Sequence, residues 1–376
     1  MRSGDLLFSR LCEGVSSSDR HRLQPPRSRF ARTRYYFVFI EIGRKRQTED
    51  MRTLIDWEFR TECAILHSSM PRFSFISVII PVYDDWIALD QCLSSLSQQA
   101  KPPDFEVIVI DDGSTEATPD RILQWGGQLP LTTVRRPHSG ISAARNHGIQ
   151  LSKGSLILFV DADCQLDTNC LAALASAAEV FPKHYSFQLR LVGDCSNFVG
   201  KTEHLRLTTL QKHLLQPSGC MRYLNTAGFA IRRSKIPIDK GLFEPAAVRG
   251  EDTLLLADLM EHAELPFFVA DAIVQHEVPQ TLLKRLRKDI RSAFLEGGAY
   301  AIIAARGIKV RLSNRERGNM VRSMWRISKQ PSIGALAFFV TIIRQFLSRI
   351  TTLVFRLLHR RSRTQEINPS SISENI

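Results

Sequence analysis

Cysteine is scarce in this chain and follows no pattern. Its seven cysteines, at 12, 63, 92, 164, 170, 195 and 220, include no Cys-x-x-Cys pair. The odd number argues against a disulfide framework, so a reducing compartment fits best. Also lacking is an unbroken apolar run of the roughly 20 residues that a membrane span needs. The run from Tyr35 to Ile40 is far too short, and the apolar segment 333–358 is interrupted by Arg344, Arg349 and Arg356. Glycine and proline form no collagen-like repeat. With 44 % apolar and 23 % charged residues, the composition excludes wholesale disorder. The 376 residues are ample for a full hydrophobic core.

What the chain does have is positive charge, a formal +12, which invites a nucleic-acid reading. Its distribution argues against one. Residues 1–70 carry a net +4 and residues 280–376 a net +14, whereas 71–279 carry −6. A mildly acidic middle lies between two basic flanks, so no nucleic-acid partner is expected.

The first 70 residues show no sustained periodicity. They are expected to be an extension, disordered or wrongly assigned, with translation starting at Met51 or Met70. From Phe75 the pattern changes. Apolar, largely β-branched runs at 76–83, 105–110 and 155–160 predict buried strands. Helical spacing is expected over 87–99, near 116–125 and over 141–151, with a short strand at 131–135. Strands alternating with helices predict an α/β fold: a mostly parallel sheet with helices on both faces. Such sheets bind ligands at the carboxyl ends of their strands.

Two acidic motifs sit at those ends. Asp111-Asp112-Gly113-Ser114 follows the second long strand, and Asp161-Ala162-Asp163 follows the third. Carboxylates one residue apart at a strand exit can hold a hard divalent cation. Between them lies Pro137-His-Ser-Gly-Ile-Ser-Ala-Ala-Arg145-Asn-His-Gly148, a glycine-containing loop leading into a helix that carries an arginine. A helix N-terminus and a cation suit an anionic phosphate ligand.

In order and spacing, VIIPVYD, IDDGS, GISAARNHGI and FVDAD make 77–164 resemble the nucleotide-sugar half of family 2 glycosyltransferases. The resemblance implies a GT-A (Rossmann-like) catalytic domain over 71–279, with a nucleotide-sugar half at 71–165 and an acceptor half at 166–279. It implies a base pocket lined by Pro81, Val82 and Tyr83, with Asp111 or Asp112 on base or ribose. Arg145 would lie near the uridine and diphosphate, and Asp161 would face the donor ribose or sugar. Asp163 would bind Mn²⁺ or Mg²⁺, with His276 completing the metal shell. Asn225–Arg233 resembles the strand that borders the donor sugar. Glu251-Asp252 resembles the family's Glu-Asp pair, which makes Asp252 the base and Glu251 its helper. The segment 183–224 matches no part of the pattern.

The C-terminal region is expected to be helical and basic. Over 281–294, Leu282, Leu283, Leu286, Ile290 and Phe294 share one helical face, and the basic residues fill the other. Over 333–358 a wheel at about 100° per residue puts Thr341, Arg344, Gln345, Ser348, Arg349, Thr352 and Arg356 on one side. Leu336, Phe339, Ile343, Phe346, Leu347, Ile350, Leu353, Val354 and Leu357 fall on the other. That pattern predicts an interfacial helix, its arginines among anionic headgroups across 333–363. Residues 280–332 are expected as a basic helical region and 359–376 as a disordered tail.

The expected function is inverting transfer of a sugar from a nucleotide donor, UDP-linked, to a glycan or lipid-linked acceptor in cell-surface polysaccharide synthesis. The expected location is cytoplasmic and peripheral to the membrane. A polyprenyl-phosphate glycosyltransferase and a non-catalytic sugar-nucleotide-binding protein are the alternatives.

Overall fold

The computed structural model describes residues 75–365, apart from 117–119, 238–239, 246, 248, 277–280, 309 and 311. The expectation for 1–70 lies outside the described residues, as does that for 366–376; residues 359–365, expected in a disordered tail, instead continue the last helix.

The parallel half forms where the apolar runs place it. Strands β1 (Ile76–Val82), β2 (Phe105–Asp111), β3 (Leu131–Arg135) and β4 (Leu156–Phe159) pair in parallel in the order β3-β2-β1-β4. Helices α1 (Trp86–Ser97) and α2 (Ile141–Leu151) cover the sheet. Alternate residues of a strand face opposite layers. Ile76, Val78 and Ile80 pack with Leu89 and Leu93 of α1, whereas Ile79 packs with Ile149 of α2. Both faces are therefore buried. Gly148 lets α2 lie close on β1, since a Cβ there would come within 2.4 Å of the Ile79 side chain. The helix expected near 116–125 is smaller: a turn at Asp120–Leu123, then a 3-10 turn at Gln124–Gly127.

The other half is mixed. β5 (Cys164–Leu166), β6 (Ser186–Gly193), β7 (Phe229–Arg232) and β8 (Phe267–His276) extend the sheet in the order β4-β7-β6-β8-β5. β7 runs antiparallel to β4 and β6, β6 pairs in parallel with β8, and β5 runs antiparallel to β8. The eight-stranded sheet is thus parallel through the first half and mixed through the second. Helices α3 (Cys170–Val180), α4 (Phe198–Leu214) and α5 (Glu251–Glu261) belong to this half.

Three further helices follow: α6 (Leu282–Ala305), α7 (Asn314–Ser328) and α8 (Ala335–Gln365). A reciprocal cap fixes the start of α7, with Ser313 accepting from the Glu316 N–H and Glu316 accepting from the Ser313 N–H. α8 departs from expectation. Its polar face turns inward: Thr341 is buried and Arg344 only 5 % exposed, whereas Leu336 is 65 % and Phe346 62 % exposed. Arg344 is therefore not on the outer surface. It reaches Asp289, half-buried, at 2.7 Å and Glu203, buried, at 3.6 Å, carboxylates out of water that need an opposite charge. α6 is oriented alike, with Arg285 buried and Leu283 and Ile290 exposed.

Candidate active site

A cavity of about 690 Å³ opens at the carboxyl ends of β1 and β4. Pro81, Val82 and Tyr83 line it beside Arg145, Asp161 and Asp163; the start of α5 and the inner faces of α4, α6 and α8 also contribute. Tyr83 is 47 % exposed, its ring 4.7 Å from that of His138.

Arg145 lies at the centre. Its guanidinium donates to Asp161 at 2.6 Å and to Glu251 at 2.7 Å, and sits 5.4 Å from the centre of the Phe243 ring. Burial opposes its charge, yet Asp161 and Glu251 hold its proton more firmly than usual. This buried arginine ties the metal-motif strand exit to the helix that carries the Glu-Asp pair.

That helix begins sharply because Gly250 adopts φ +91°. A Cβ there would stand 2.8 Å from the Ala299 Cβ, so the position is restricted twice over. The two neighbouring carboxyl groups then part in character. Burial works against the charge of Glu251, but Arg145 overcomes it and holds the group below its ordinary range. Burial, then the adjacent Glu251 charge, push Asp252 up to about 7. Paired carboxyls driven apart in this way suit different tasks.

Asp163 stands between His276 and Lys288. His276 Nε2 is 3.5 Å from one carboxylate oxygen and Lys288 Nζ is 3.4 Å from the other. Burial raises Asp163, but His276 and Lys288 outweigh it and leave the group below its ordinary range. The fold explains the meeting: β5 starts immediately after Asp163 and pairs antiparallel with β8, with Cys164 opposite His276. The buried Nδ1 of His276 has no hydrogen-bond partner. One carboxylate and one imidazole facing each other fit a divalent cation such as Mn²⁺ or Mg²⁺. Cys164 lies in the same cluster. Burial, then Asp163, keep its thiol protonated, which suits packing better than ligation.

Asp111 and Asp112 are held differently from the other carboxylates. Neither lines the cavity. Asp112 accepts from the N–H groups of Ser139 and Gly140 at 3.2 and 2.8 Å. Two N–H groups of the loop expected to receive phosphate are therefore met by the protein's own carboxylate. Asp111 accepts from Ser114 N–H at 2.8 Å and lies 3.5 Å from Arg135.

Sequence reasoning missed the floor of the cavity. Glu203 of α4 is 2 % exposed and bonded to Arg206 and Arg285, while Asp289 joins Arg285 to Arg344. Lys288, on the side of α6 read as simply basic, reaches the metal motif. The signal was present only as charge in helical segments, with nothing local to say which carboxylate each cation meets.

This sheet, with its Asp-x-Asp strand exit, is a GT-A fold. A mannosyltransferase of Pyrobaculum calidifontis, solved with GDP-mannose and Mn²⁺, superposes with a TM-score of 0.52 at 18 % identity, over 77 % of this chain and 88 % of that one. Residues 77–236 match the family model described as glycosyl transferase family 2. Among curated relatives, the glycosyltransferase AglE of Haloferax volcanii is 36 % identical over 93 residues, 24 % of this chain and 31 % of its own. A poly(ribitol-phosphate) beta-glucosyltransferase of Bacillus spizizenii is 38 % identical over 100 residues, 26 % of this chain and 16 % of its own. The chain thus spans less than a third of either relative.

Proposed function

We propose that the protein is a metal-dependent, inverting glycosyltransferase of cell-surface polysaccharide synthesis. It moves a sugar from a nucleotide donor, UDP-linked, to a hydroxyl of a growing glycan, free or lipid-linked. The observation that carries this reading is the Arg145 bridge, which gathers Asp161, Glu251 and the adjacent Asp252 at one cavity.

The chemistry follows from the groups present. An acceptor oxygen attacks the anomeric carbon, the bond from that carbon to the diphosphate oxygen breaks, and Asp252 takes the hydroxyl proton. A carboxylate raised to about 7 is matched to that task near neutral pH. Glu251, already committed to Arg145, stays ionised and holds the pair in register. Asp163 and His276 would hold the divalent cation, which supplies positive charge for the departing diphosphate. Lys288 adds a second cation on the same side. Tyr83, Pro81 and Val82 offer a partly apolar wall to the base.

The enzyme works, in this reading, at the cytoplasmic face of the cell membrane, attached peripherally through its C-terminal region. Incubation of the full chain with a panel of nucleotide sugars, Mn²⁺ and a lipid-linked or soluble glycan acceptor tests the activity. Release of nucleoside diphosphate together with sugar transfer to acceptor is expected. Binding of nucleotide sugars without release, across the panel and with Mg²⁺ as well, would overturn it in favour of a non-catalytic binder.

A further inference from the structure

α8 carries buried polar groups on its inward side and a large apolar surface on its outward side. The inward side of α8 is polar and bonded: Thr341 to the Thr202 carbonyl, Arg344 to Asp289 and the Thr202 hydroxyl, Thr352 to the Ala293 carbonyl. Its outward side presents Leu336, Phe339, Ile343, Phe346, Ile350 and Leu353, all more than two-fifths exposed. Folding normally hides such a face. α7 continues it, since Val321 and Trp325 are exposed and the Trp325 ring lies 6.1 Å from that of Phe339. On α6, Leu282, Leu283 and Ile290 are exposed, Ile290 directly after Asp289, which meets Arg344.

The charges on these helices are sorted just as sharply. Residues 281–354 contain three carboxylates, Asp289, Glu296 and Glu316. Asp289 and Glu296 line the cavity, and Glu316 is bonded to Ser313 and Arg222. The exposed charged side chains beside the apolar surface are cationic: Arg287, Arg291, Arg322, Arg326, Lys329 and Arg349.

We infer that α6, α7 and α8 together form one surface that seats on an anionic lipid bilayer. This extends the peripheral attachment proposed above from one helix to three and does not depend on the transfer chemistry. An apolar surface with a predominantly cationic fringe is complementary to acyl chains beneath anionic headgroups. A second copy of the chain would bring the same fringe against itself. Ala335–Val354 is long and apolar enough to cross a membrane. Crossing, however, would strip Thr341 and Arg344 from their partners and leave Asp289 and Glu203 short of a cation. The helix therefore lies along the bilayer while its other side closes the catalytic cavity. α6 serves both sides, with Ile290 facing outward and Lys288 at Asp163.

The test is cosedimentation of the full chain with vesicles of phosphatidylglycerol and phosphatidylcholine, and with phosphatidylcholine alone. Three paired variants isolate the helices: L283S/I290S on α6, V321S/W325S on α7 and F339S/F346S on α8. Thermal melts identify any variant that has lost its fold, with Leu283→Asn, Val321→Asn and Phe346→Asn as single replacements. Binding that requires anionic lipid, weakens with salt and falls about tenfold or more for each pair is expected. Loss for the α8 pair alone would overturn the three-helix surface. Retention after washing with carbonate at pH 11 would overturn peripheral seating. A dimer by light scattering, dispersed by the same variants and without vesicle binding, would give the surface to a second copy.

Discussion

Arg145 donates to Glu251 across 2.7 Å, joining positions 106 residues apart in the chain. The same guanidinium holds Asp161 at 2.6 Å, so one buried cation supports both halves of the site. Removing one partner of a buried pair leaves uncompensated charge, at a cost of about 3–5 kcal/mol. Arg145→Ala is therefore expected to lower the unfolding midpoint in urea markedly. Arg145→Lys should recover part of the stability but little transfer, because one ammonium cannot reproduce a planar two-pronged bridge. Full transfer in the lysine variant would show that charge alone suffices.

Asp252→Asn removes the proton acceptor and keeps the shape. Donor binding, followed by calorimetry with a non-hydrolysable nucleotide sugar, should be unchanged, while transfer falls by about 10²–10⁴-fold. In the wild type, kcat/KM should rise with pH through the region of 7 as Asp252 ionises. A flat profile between pH 5 and 8 would assign the proton elsewhere.

The same residue makes a thermodynamic prediction of opposite sense. A carboxyl raised in the folded state binds its proton more tightly there than in the unfolded chain, so its contribution to stability declines as pH climbs from the ordinary aspartate range to about 7. Asp252→Asn escapes that decline. Its Tm should exceed the wild-type value, by more at pH 8 than at pH 5. Equal gains at both pH values would contradict the raised carboxyl.

Asp163→Ala and His276→Ala are expected to weaken Mn²⁺ binding, read by electron paramagnetic resonance with nucleoside diphosphate present. The loss should be at least about tenfold for each. Asp163→Ala should also leave Lys288 without its carboxylate partner. Unchanged Mn²⁺ affinity in both variants would remove these two side chains from the metal site.

The parallel half was legible because its strands are continuous β-branched runs, and Ile76–Val82 could be read almost to the residue. α4 was not. Its buried side mixes Thr202, Glu203, Thr209 and Gln211 with leucines, so apolar periodicity never emerges. Glu203 makes sense in the interior only once Arg206 and Arg285 arrive, one from the same helix and one from α6. His276 was legible as a candidate, but its nearness to Asp163 comes from the β5–β8 register, which no local pattern reports. The two faces of α8 were also legible. Which one points inward was not, because a binary pattern fixes the division of a helix and not the side on which its neighbours lie.

The inward set of Arg344 has a practical consequence for handling the protein. Cutting away an exposed apolar C-terminal helix is a usual way to gain a more soluble, crystallisable version of a protein. Here the cut would take Arg344 from Asp289 and Glu203 and open the wall of the catalytic chamber. The better soluble version keeps every residue of the helix that touches the body and repaints its exposed leucines, isoleucines and phenylalanines with glutamine and serine.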